Sequence, residues 1–132
     1  MAVGLSAANL ANKWLDVLRL QGITALTTVN VKLHTGDPGS AGTTAPSSVT
    51  TRPAITFAAA SGGAIASNNV PSWASWAGTN GEVVTHISFW DASTAGNFLC
   101  SIALTASKTM GTGDTLNLTS GGTTVTLTPI AA

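Results

Sequence analysis

The sequence predicts a mainly β fold, an antiparallel β-sandwich or jelly-roll-like barrel, carrying one N-terminal amphipathic helix. Three observations predict it. The apolar period changes from 3.6 residues to 2 after Gly22. Short alternating runs then recur between turns rich in Gly, Asn and Ser, at the roughly 8–12-residue spacing of sandwiches and barrels. Polarity is supplied mainly by Thr, Ser and Gly, because only 8 % of residues are charged, against about 25 % in an ordinary soluble domain.

The helix is expected over residues 6–21, SAANLANKWLDVLRLQ. Leu10, Trp14, Val17, Leu18 and Gln21 share one face, and Asn9, Asn12, Lys13, Asp16 and Arg19 share the other. Ser6 is placed to cap the first turn through its hydroxyl, and Gly22 to end the helix in the left-handed conformation. Residues 1–22 therefore form a helical arm, with Leu10, Trp14 and Leu18 as candidate contacts to the core or to a neighbouring subunit.

In VNVKLH, Val29, Val31 and Leu33 alternate with Asn30, Lys32 and His34, a half-buried strand whose last outward residue is His34. Residues 36–53 are a long loop of Gly, Ser, Thr and Pro; loops of that length are functional or lie over a partner. Strands follow at 54–59, 64–68 and 70–77. The clearest is EVVTHISFW (82–90), entered through Thr79-Asn80-Gly81. Both its faces read as largely apolar, which makes it central. NFLCSIALT (97–105), DTLNLT (114–119) and TTVTLTPI (123–130) complete the set, and no linker or internal repeat divides residues 1–132.

The 132 residues carry five basic and five acidic side chains. A neutral chain with so few cations has no footprint for a phosphate backbone, so no nucleic acid is expected. No run reaches the roughly 20 apolar residues of a membrane span, and no membrane partner is expected. The N-terminus lacks a basic stretch ahead of an apolar run, unlike a secretory signal. One cysteine, Cys100, fits synthesis in a reducing cytosol.

Candidate chemistry is thin. Cys100 would need His86 and Asp91 or Asp37 to become a nucleophile. It alternates instead with Phe98 and Ile102, where cysteine acts as a small hydrophobe. His34, His86, Asp37 and Asp91 are the available metal ligands, but nothing in their spacing gathers them as zinc requires. Asp37, Asp91 and Asp114 lie in GDPG, WDAST and GTGDT, turns in which aspartate accepts from nearby amides. We therefore expect no catalytic set, no cofactor and no metal. Trp73, Trp76 and Trp90 offer faces for a sugar. Trp73 and Trp76 stand three residues apart, so on a strand they point to opposite sides and at least one belongs to the core.

In order, the chain shows an amphipathic helix, LHTGDPG, a loop ending in TRPAITFAAASGG, then VVTHISFWDASTAGNFL and KTMGTGDTL. This order resembles a family of small phage virion proteins, common in actinobacterial phages and prophages and described as tail-fibre-like, minor tail or minor capsid proteins. LHTGDPG and THISFWDA…GNFL are its most specific parts. In that family a tyrosine often precedes the arginine of TRPAITF by two positions. Thr50 stands there in this chain, so a stacking role for the tyrosine does not carry over. Arg52 remains, free to bond Asp37 or loop carbonyls.

The resemblance implies a non-enzymatic structural component of the virion, made in the host bacterial cytoplasm. Its partners would be the major capsid protein or tail proteins. A homo-oligomer is expected, a trimer above other states. A capsid decoration role is favoured by the small size, with a tail or fibre component, with weak sugar binding, as the alternative. Contacts would involve Leu10, Trp14, Leu18, Arg52, Trp73 and Trp76, while Gly36, Asp37, Pro38, Asp91 and Asp114 shape turns. In LHTGDPG, Pro38 restricts Asp37 and the glycines permit positive φ. The histidine and aspartate of that motif thus read as a corner from which a binding loop departs.

Overall fold

A computed structural model describes residues 3–127. Among these residues seven antiparallel strands form three sheets: β1 (Asn30–His34), β2 (Ala64–Ala66), β3 (Ser72–Trp73), β4 (Glu82–Trp90), β5 (Phe98–Met110), β6 (Leu116–Asn117) and β7 (Thr124–Thr126). The main sheet has the order β1-β4-β5, and β2-β7 and β3-β6 are two-stranded ribbons. The arrangement is sandwich-like, and the barrel alternative is not met, because the described strands do not close on themselves.

β4 is the central strand of the main sheet, as its apolar pattern requires. Cross-strand register sorts its residues onto two unlike faces. Val31, Phe89 and Cys100 lie side by side, as do Leu33, Ile87 and Ile102. This face joins Trp73, Trp76, Ile55, Leu99 and Leu116 in the hydrophobic core, and Phe57 meets Phe89 edge-on at 6.2 Å. The other face carries Asn30 beside Trp90, Lys32 beside Ser88 and Ser101, and His34 beside His86. It is more polar than its sequence pattern promised, yet much of it is buried. The 36–53 loop covers it: Gly42 lies against the Phe98 ring, and Thr44 receives a bond from His34.

Several expectations need correction. Residues 54–59 do not form a strand. Pro53 and Ile55 instead bond Val31 and Val29 along the outer edge of β1, and the chain then crosses to pair Phe57 with Ser67. Proline has no N–H to extend the ladder. β5 continues to Met110 rather than stopping at Thr105, because a bulge leaves Thr85 alone opposite Leu104 through Ser107. The strand expected over 123–130 is observed at Thr124–Thr126, and its continuation past residue 127 lies outside the described residues.

The helix is also irregular. Ala7–Ala11 is wound as π, Asn12–Asp16 as α1, and Val17–Arg19 as 3₁₀. Ser6 accepts from the Asn9 amide at 3.3 Å, while Leu10 and Ala11 both bond the Ser6 carbonyl. The end falls at Leu20, not Gly22. Leu20 is left-handed (φ 62°), with Leu20 N–H on the Val17 carbonyl and Gln21 N–H on the Asp16 carbonyl. That bonding pair is a Schellman termination. Three windings in sequence break the 3.6 period, so Leu10 and Trp14 reach the core side while Leu18 turns outward.

Candidate functional site

The 36–53 loop is stapled down along its length. The Glu82 carboxylate receives the Ser47 hydroxyl and the Ser48 amide, the Trp73 indole donates to the Thr51 carbonyl at 3.0 Å, and Ser47 N–H pairs with Leu33. Burial pushes the Glu82 pKa up, but the Ser47 and Ser48 bonds outweigh it and hold the group below the usual carboxylate value. In LHTGDPG, Asp37 Oδ1 accepts from Gly39 N–H at 2.8 Å, Gly39 takes φ 71° and Pro38 is buried. Gly36 does not use positive φ; it is needed for space, since a Cβ there would stand 3.2 Å from Ala45 Cβ.

His34 is not the outward residue its position in the strand implied. It is 0 % exposed, closed over by the loop. Nδ1 lies 2.9 Å from the Thr44 carbonyl and Nε2 lies 2.7 Å from Ser88 Oγ. A carbonyl only accepts, so Nδ1 carries the proton and Nε2 accepts from Ser88. Ser88 Oγ in turn accepts from the Trp90 indole at 2.8 Å. The chain of bonds is complete with a neutral ring. Burial lowers the His34 pKa most; the Thr44 bond opposes this, and nearby Lys32 and His86 lower it further.

That relay fixes Trp90 against two basic side chains. The Arg52 guanidinium carbon lies 4.3 Å from the ring centroid and Lys32 Nζ lies 5.5 Å from it. Arg52 Nη1 donates to the Ala95 carbonyl at 2.8 Å, so it bonds the β4–β5 turn rather than Asp37. Asn30, with its amide oriented to satisfy its neighbours, donates to the Arg52 carbonyl and accepts from the Ser93 amide, both at 3.3 Å. Asp91 closes the same turn through Asn97 N–H (2.6 Å) and the Asn97 side chain (2.8 Å). Those bonds hold Asp91 below the usual carboxylate pKa. Asp114 accepts from Gly111 N–H at 2.7 Å in the turn after β5.

Beside Arg52 an open groove of about 750 Å³ is lined by Thr50, Thr51, Ser72, Trp73, Ser75, Trp76, Ser93 and Thr94. Trp73 and Trp76 are 4 % and 2 % exposed. Both belong to the core, so their expected role as contact residues is corrected: their indole N–H groups are spent on the Thr51 and Thr79 carbonyls. Cys100 is buried, and burial pushes its thiol up to about 12. No three His, Cys, Asp or Glu side chains converge as metal ligands among the described residues.

A second surface lies on the arm. Residues 4–6 pair with the edge of β5 through Ser6 N–H to Leu99 and Ser101 N–H to Gly4, and the Asn9 side chain donates to the Phe98 carbonyl at 2.9 Å. Leu10 and Trp14 line an apolar cleft of about 120 Å³ above Phe89, Leu99 and Cys100. Past them, Leu15, Val17, Leu18, Leu20, Ile23 and Leu26 are exposed, Leu18 at 82 % and Leu20 at 93 %. The sequence marked Leu18 as a contact. Leu20 escaped notice because its left-handed turn was assigned to Gly22.

No curated protein matches the chain. The family described as Podophage GP4 fiber I protein gp80 matches over residues 5–126, which takes in most of the arm, the seven strands of the described residues and both surfaces. The chain therefore belongs to that family of phage virion fibre proteins.

Proposed function

We propose that the protein is a non-enzymatic, tail-fibre-like structural component of a phage particle, held to its neighbours through the N-terminal arm. The family match carries this reading, because it spans nearly the whole described fold. It favours the fibre role over the capsid decoration role that small size had recommended. The arm supplies the contact. Six large apolar side chains between Leu15 and Leu26 are exposed to water, and a leucine held left-handed costs about 1–2 kcal/mol with its side chain 93 % exposed. The partners are other copies of this chain, a trimer being the expected state, and adjoining tail proteins.

Cryo-electron tomography of intact particles carrying a tagged copy tests the location. Density at the tail supports the reading, and copies spread over the capsid shell overturn it. Native mass spectrometry of the purified chain reads the oligomeric state.

A further inference from the structure

Arg52 and Lys32 are two of five basic residues in the chain, yet they lean on one indole. Bringing like charges together is unfavourable unless something negative joins them. No carboxylate of the described residues does. The salt bridge among the described residues is Arg19 with Asp16, on the arm, and Asp91, next in sequence to Trp90, turns its two oxygens to the Asn97 amide and side chain instead. Arg52 spends Nη1 on Ala95, which leaves its remaining N–H donors for a ligand. The corner is also rigid, since Trp90 is locked through Ser88 to His34 and Asn30 ties the Arg52 and Ser93 backbones together.

Arg52 borders the groove of about 750 Å³, within the size range of small-molecule sites. The walls there are Thr and Ser hydroxyls, which donate and accept as sugar hydroxyls do. We propose that this corner binds an acidic saccharide. The carboxylate or phosphate of the ligand meets Arg52 at the groove edge, its hydroxyl-bearing ring lies along Thr50, Ser75, Ser93 and Thr94, and Lys32, outside the groove lining but against the same indole, adds attraction at longer range. The planar guanidinium fork suits either anion. With Trp73 and Trp76 buried, charge rather than indole stacking selects the ligand. The proposal relies on the fibre reading only for where such a saccharide is met.

The test is a heteronuclear NMR titration of the full chain with three probes: a galacturonic acid trisaccharide, a neutral galactose trisaccharide, and glucose 6-phosphate. Inorganic phosphate serves as a fourth arm. The acidic sugars should shift the Trp90 indole N–H, the Arg52 Nε–H and the amides of residues 50–52 and 93–94. The carboxylated and phosphorylated arms tell which anion is taken. Arg52→Gln should weaken binding about tenfold, as loss of one charged hydrogen bond does, and Lys32→Gln should weaken it by a smaller, salt-sensitive factor. Equal response to the neutral sugar, binding of phosphate as tight as that of glucose 6-phosphate, or no shift at these positions overturns the proposal. The shifts in the unmodified chain decide it even if a variant fails to fold. A negative result leaves the fibre location standing, and a capsid location leaves measured binding standing.

Discussion

The buried His34 should make the protein lose stability as the pH falls below about 6.5. In the unfolded chain the ring takes its proton near 6.5. In the folded chain burial lowers that value, and Thr44 and Ser88 already satisfy the neutral tautomer. Between the two values the unfolded state binds more protons, so stability falls with falling pH, by up to about 1.4 kcal/mol per pH unit. The contribution is complete above the unfolded value and is lost as pH drops towards the folded one. Glu82 and Asp91, with depressed pKa values, act in a lower window, below their ordinary values of 4.5 and 3.8.

His34→Leu keeps the volume, removes the titration, and leaves the Thr44 carbonyl and the Ser88 hydroxyl proton without a partner. Each group so orphaned costs up to about 1–3 kcal/mol, so the variant should be less stable by up to about 2–6 kcal/mol at pH 8. His34→Gln, which an outward residue would tolerate, should cost about 1–3 kcal/mol for one partner left unpaired. Urea unfolding followed by tryptophan fluorescence from pH 8 to 5 measures both effects. The stability of the unmodified chain should slope between pH 6.5 and 5, and that of His34→Leu should be flatter. Since His86 is present in both, the difference belongs to His34. A flat profile in the unmodified chain, or the same slope in the variant, refutes the neutral buried ring.

Gly42→Ala should destabilise by about 2–4 kcal/mol in the same assay, because the new Cβ would overlap the Phe98 ring and Gly42 holds φ 69°. Leu20→Gly should stabilise the isolated chain by about 1 kcal/mol by relieving the left-handed leucine, while Leu18→Asp should leave its melting unchanged. Both should reduce incorporation into particles, counted by quantitative mass spectrometry; full incorporation would remove the arm as a contact. These single changes are cleaner than deleting residues 1–21. That deletion also strips Gly4 and Ser6 from β5 and opens the cleft under Trp14. Cys100 should resist iodoacetamide at pH 8 until the chain is unfolded, since its thiol is buried and stays protonated.

Local pattern was enough for the architecture. Two largely apolar faces marked Glu82–Trp90 as the central strand, the Ser6 hydroxyl marked the start of the helix, and the turn chemistry of Asp37 and Asp91 is carried by residues close in sequence. What sequence could not decide was which outward-looking side chains the loop would cover. His34 alternates with Leu33 as any exposed strand residue would, and only the return of Thr44 over the sheet buries it. Trp73 and Trp76 looked available for contact until Thr51 and Thr79 claimed their N–H groups. Leu18 kept its helical spacing, but π and 3₁₀ windings turned it away from the core. Arg52 and Lys32 stand 20 positions apart, and no periodicity links them. Periodicity records which side of its own element a residue occupies. What lies opposite that side depends on chain returning from far away, and that was settled only when loop 36–53 and the β4–β5 turn met over Trp90.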